Sequence, residues 1–146
     1  MKRNNPLRVP VTQGLKDVYG MDMHLAYQAA CLGQFNVVAF SRLAVAIAVI
    51  RSALEEKQTK IPHAIETLDA AIATLAAVRK KGDDTDLWEL TESERPSVLD
   101  GIIMAEQCIG TLDVALLART ADRLFMDVCT EQADHLESCA AIDENK

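Results

Sequence analysis

The stripe Ile61, Ile65, Leu68, Ile72, Leu75 and Val78 puts an apolar side chain at every third or fourth position without a break. That interval matches the 3.6-residue turn of an α-helix, whereas a half-buried strand would alternate every second residue. The same interval returns in Phe40, Leu43, Ile47, Ile50 and Leu54, in Val98, Ile102, Ala105 and Ile109, and in Val114, Leu117, Ala121, Leu124 and Val128. A shorter run, Leu25, Ala29 and Leu32, precedes them. Amphipathic helices in water owe most of their stability to covering such faces against one another. Several stripes in one chain therefore predict an all-α bundle of five or six helices.

Local punctuation divides the stripes. Residues 1–16 carry two Pro, one Gly and four basic residues with no acid, and read as a basic flexible arm. Residues 17–141 read as one helical domain, and residues 142–146 as a frayed tail. Asp22 is a candidate N-cap for the first helix and Gly33 its stop. Asn36 is the candidate cap of the second. The third helix is expected to start near Ile61-Pro62 and to end at Arg79-Lys80-Lys81-Gly82, with the cations at the negative end of the helix dipole. Residues 83–92 form an acidic connection. The next helix has two candidate starts: a capping box from Thr91 to Glu94, or a start at Ser93 that puts Pro96 in the first turn. Gly110 is the expected stop and Asp113 the following cap. Thr130 would cap a short last helix carrying Leu136 and Cys139.

Two of these junctions are near copies. CLGQFNV at 31–37 and CIGTLDV at 108–114 share Cys, aliphatic, Gly, polar, large apolar, Asn or Asp, and Val, and each has an Arg five residues on, Arg42 and Arg119. Both read as tight helix–helix connections with a Gly stop and an Asn or Asp start. They suggest two pseudo-repeated helix-hairpin halves, with both thiols buried at equivalent corners.

Composition narrows the function classes. The chain has 146 residues, 49% hydrophobic and 25% charged, which suits one soluble domain with a real core. Its N-terminus has no apolar h-region. The apolar stretch Val37–Ile50 is interrupted by Ser41 and Arg42 and reads as core rather than as a membrane span. These features point to a cytoplasmic protein with reduced thiols at Cys31, Cys108, Cys129 and Cys139. The net charge of −7 is unevenly spread. Residues 1–82 hold 11 Lys/Arg against 6 Asp/Glu, and residues 83–146 hold 4 against 16. The halves could attract each other, or the acidic half could dock a basic partner.

Catalytic patterns are missing from the sequence. It has no glycine-rich phosphate loop, no Gly-x-Ser-x-Gly and no His-Glu-x-x-His. His135 and Cys139 share a helix face with Glu131 and Cys129 near, but a structural zinc site needs four ligands and no Cys-x-x-Cys exists. Cys31 and Cys108 lie on apolar faces at helix ends, where a small residue serves packing. Glu106 is the nearest approach to an isolated carboxylate, with Gln107 beside it. No enzyme, cofactor or metal site is expected. Trp88 is the only Trp, set in the acidic connection, and could anchor a partner or fold back over the bundle end.

Two resemblances add to this reading. Ala29-Ala30-Cys31-Leu32-Gly33 followed by Arg42-Leu43 resembles the Fis-type helix-turn-helix, which implies a DNA-binding regulator. The helix that would enter the groove offers only Ser41 and Arg42 as polar residues, and an acidic chain disfavours nucleic acid. Met23-His24-Leu25-Ala26, Leu43-Ala44-Val45-Ala46, Trp88-Glu-Leu-Thr91 with Glu94, and Gly101-Ile102 resemble small helical proteins of bacteriophages and integrated elements. That resemblance implies an accessory protein that binds host or phage proteins, including as an inhibitor of a defence complex. The expected function is accordingly non-enzymatic protein binding through Trp88, Glu89, Glu92, Glu94 and Arg95. The alternative is the helix-turn-helix regulator. A homodimer through the Ile61–Val78 stripe is a further expectation.

Overall fold

The structure, a computed structural model, describes residues 13–58 and 60–124. It is all-helical, with five helices among the described residues. They are α1 (Gln13–Cys31), α2 (Val37–Lys57), α3 (Ala64–Thr85), α4 (Arg95–Ile109) and α5 over residues 114–124. The Thr130 cap, Leu136 and the tail at 142–146 lie outside the described residues, as does the arm over residues 1–12.

α2 packs against α1, α3 and α4, and α4 likewise packs against α1, α2 and α3. Phe40, Leu43, Ile47, Ile50 and Leu54 are all buried, as their spacing requires. α2 is long and apolar enough to cross a membrane by length and composition alone, contrary to the expectation from the shorter stretch. In the bundle its buried residues are covered by three neighbouring helices. α5 is pinned to the end of α2 by Arg119 and Arg123, which pair with Glu56 at 2.8 and 3.7 Å. Lys57 adds a hydrogen bond to the Thr111 carbonyl.

The helix starts at the two near-copied junctions are alike. Asn36 Oδ1 accepts from the Ala39 N–H at 2.9 Å, and Asp113 Oδ1 accepts from the Leu116 N–H at 2.7 Å. Each satisfies a first-turn donor that has no partner within its helix. Asn36→Ala and Asp113→Ala should each cost about 1 kcal/mol in chemical denaturation, with Asn36→Asp and Asp113→Asn close to wild type.

The helix stops differ. Gly33 has φ +72°, and its neighbourhood closes α1 with bonds from Gly33 N–H to the Ala30 carbonyl and from Gln34 N–H to the Ala29 carbonyl. This is the left-handed stop that favours glycine. Gly110 instead has φ −65°, and the chain leaves α4 through two successive three-residue turns, Thr111 to Cys108 and Leu112 to Ile109. A side chain at 110 would meet the Lys16 ammonium at 3.2 Å. Lys16 therefore sits over the negative end of α4, where a cation is favourable. The two thiols also differ. Cys108 is fully buried and Cys31 only half-buried.

Three boundaries depart from expectation. Residues 13–16 belong to α1 rather than to an arm, so Asp22 lies inside that helix and caps nothing. α1 buries Gly20, Met23, Ala26 and Ala30, leaving Leu25 exposed, as is Leu32 just past its end. α3 begins after His63 and runs through Gly82 to Thr85, where Asp86 closes it at φ +59°. Gly82 is there for packing. A Cβ on it would stand 2.5 Å from the Trp88 indole. The α4 start combines both candidate signals. Glu94 reaches back to Thr91, and the helix itself begins at Arg95 with Pro96 in its first turn, where the missing N–H costs little.

α3 and α4 approach closely at Gly101. A Cβ there would lie 2.4 Å from the Ala71 methyl. Leu68, Ala71, Leu75 and Val78 are buried, and Ile61, Ile65 and Ile72 pack half-buried on the same core. The stripe expected to hold a homodimer is thus committed to the chain's own core.

Candidate functional site

The proposed partner-binding residues all fall at the corner between α3 and α4, but they do different jobs there. Trp88 folds back. Its ring lies 5.1 Å from Phe40, which meets Phe35 edge-on at 6.2 Å, and its indole covers Gly82. This aromatic row closes the bundle end where the α1–α2 turn meets the end of α3. The fold-back alternative for Trp88 therefore describes its position.

Glu94 is also engaged internally. Its Oε1 accepts from Lys81 Nζ at 2.8 Å, from Thr91 Oγ1 at 2.7 Å and from the Thr91 N–H at 3.1 Å. Its side chain is only 17% exposed. Burial alone would raise its carboxyl. The hydrogen bonds from Lys81 and Thr91, with the Lys81 charge, outweigh burial and hold the carboxyl below the usual carboxylate value. The folded chain thus binds that proton less tightly than the unfolded chain, so Glu94 stabilises the fold at neutral pH. The contribution is present above the usual carboxylate range and disappears as pH falls through and below that range. Denaturation midpoints measured from pH 7 to pH 3 should drop less in Glu94→Gln than in wild type. Arg95 is occupied too, its Nε donating to the Leu90 carbonyl at 3.3 Å.

Glu89 and Glu92 remain exposed, with Asp84 and Asp86 beside them in sequence. None of these four carboxylates has a hydrogen bond or ion pair with a described residue, while Asp83 reaches Arg79 at 3.7 Å. Leu87, in their midst, is 65% exposed. Sequence reasoning chose Trp88 as the anchor of this stretch and passed over Leu87. The signal available was Gly82, which opens a slot for one large ring.

The remaining chemistry is sparse. No group of three or more metal-ligating side chains occurs among the described residues. His135, Cys139, Glu131 and Cys129 lie outside them. Burial pushes the Cys108 thiol up, away from the thiolate form a nucleophile needs. Burial also raises the Tyr27 hydroxyl, with a smaller push from its hydrogen bond to Cys31. Glu106 pairs with His24 on the α1–α4 surface, both partly exposed. The helix-turn-helix segment does form two helices around Gly33. The exposed side of α2 presents Val37, Val38 and Val45 around Ser41 and Arg42, which offers little to a phosphate backbone or a base edge.

Comparison with protein-family models, with curated proteins and with solved structures returned no match.

Proposed function

We propose that this chain is a non-enzymatic protein-binding accessory protein that engages a basic surface of a host or phage protein through its α3–α4 corner. The observation that carries the reading is Leu87, an exposed apolar side chain in a segment whose carboxylates at Asp84, Asp86, Glu89 and Glu92 make no ion pair with a described residue. Such a surface offers one apolar contact surrounded by charge that would steer and orient a cationic partner. Trp88, Glu94 and Arg95 hold the corner in shape and do not contact the partner in this reading. Inhibition of a host defence complex would follow from occupying that complex's basic face.

The test is affinity purification from the native host with the full chain as bait. Wild type should recover a protein that Leu87→Ala weakens and Glu89→Lys/Glu92→Lys loses, with recovery falling as salt rises. Undiminished capture by the charge-reversed variant would sink the corner as the site. A shift of DNA in a low-salt gel assay would favour the regulator reading instead.

A further inference from the structure

Elsewhere, the outer side of α1 and α2 carries several exposed apolar side chains among the described residues. Val18, Met21 and Leu25 on α1, with Leu32 just past its end, follow alternating intervals of three and four, with Gln28 at the remaining position of the series. Leu25 is 61% and Leu32 72% exposed. On α2, Val38, Ser41, Val45, Ala48 and Ser52 repeat the same intervals, and Val38 and Val45 are more than half exposed. These are the spacings of a helix-packing seam.

The two helices run antiparallel. Residues 25–29 of α1 lie against 39–42 of α2, and 18–22 lie against 42–49, around a groove of about 610 Å³ that Ala121 of α5 borders and that continues into a smaller one of about 160 Å³. Asp22 and Arg42 line both cavities. Neither forms a hydrogen bond or ion pair with a described residue.

We propose that this α1–α2 hairpin docks on the same hairpin of a second copy of the chain, giving a four-helix bundle at a twofold axis. The charges select this occupant. A twofold contact is self-complementary, so Asp22 of each copy meets Arg42 of the other. A purely basic or purely acidic helix would satisfy one of the two and leave the other desolvated without a counterion, which is costly. A lipid surface would bury Asp22 with the apolar stripe. Two antiparallel hairpins with seam spacing also match the geometry in which helices interdigitate at a shallow angle. Gln28, polar within the seam, would favour one register. The inference is independent of the α3–α4 corner.

Sedimentation equilibrium on the full chain tests it. Wild type should give twice the 16.0 kDa chain mass at about 100 µM and dissociate on dilution. Leu25→Glu and Val45→Glu should each give the monomer mass, with helical circular dichroism unchanged because both positions are exposed. Asp22→Arg alone and Arg42→Asp alone should each weaken the dimer about tenfold or more, and the double exchange should restore it. A wild-type monomer at about 100 µM overturns the proposal, whether or not it then sediments with anionic vesicles. So does a dimer indifferent to Leu25→Glu and to the charge exchange. Monomeric Leu25→Glu should still capture the partner of the acidic corner, which separates failure of one surface from failure of the other.

Discussion

Gly101→Val should destabilise the bundle by about 3 kcal/mol or more, and Gly101→Ala by roughly half as much. The Cβ of either side chain would be built 2.4 Å from the Ala71 methyl. Non-bonded carbons rest at about 3.5–4.0 Å, so α3 and α4 must separate by more than about 1 Å to admit it. Ala71 is fully buried and has no rotamer to turn away. Alanine would favour helix at position 101 by about 1 kcal/mol over glycine. Overpacking costs about 1–3 kcal/mol and exceeds that gain. The separation also loosens Ile47, whose terminal methyl lies 3.9 Å from the same point. Urea denaturation with Trp88 fluorescence measures the change. Ala71→Gly/Gly101→Ala should recover much of the loss, because the crossing again carries one methyl. An unchanged midpoint in Gly101→Ala would mean that the helices do not cross this closely.

Ile47→Ala should cost about 2–5 kcal/mol, a large share of the total for a domain of this size. Ile47 is fully buried on α2 and faces the α3–α4 crossing, so three helices surround the space its side chain fills. They are held apart by their other contacts, and the cavity can close only in part. Ile47→Val should cost about 1 kcal/mol, because one methylene is lost rather than three carbons. Ile103→Ala, on the outer side of α4 and 44% exposed, should change stability by roughly 0.5 kcal/mol or less. Equal effects at 47 and 103 would show that the Ile47 face of α2 is not the buried one.

These two residues illustrate why parts of the fold were readable and others were not. Ile47 belongs to a stripe whose period forces one face inward, so its burial follows from spacing alone. Asn36 and Asp113 were equally readable, because a cap is a hydrogen bond to a backbone N–H three residues on. The glycines were not. Gly33, Gly82, Gly101 and Gly110 are the same residue in the sequence, yet one turns the chain at positive φ, two admit a close neighbour and one lies under a lysine. Each role depends on what stands opposite, namely Trp88 for Gly82, Ala71 for Gly101 and Lys16 for Gly110. The acidic connection was legible as a location and misleading as a list of residues. Charge picks out Glu89, Glu92 and Glu94 alike, but Lys81 is brought to Glu94 by the packing of α3 beside the α4 start.

The chain's periodicity determined the all-α class, the faces of α2 and α4, and the starts of α2 and α5. All of these rest on interactions within a turn or two of helix. Tertiary structure decided how each apolar face is covered. It committed the Ile61–Val78 stripe to α4 and α2. In α1 it turned Met23, Ala26 and Ala30 inward and left Leu25, and Leu32 just past the helix, outside. Both faces of α1 carry apolar residues at helical spacing, so spacing alone does not choose between them. The choice is made by the small residues Gly20, Ala26 and Ala30, which let α1 lie close to its neighbours in a way that Leu25 and Leu32 would prevent.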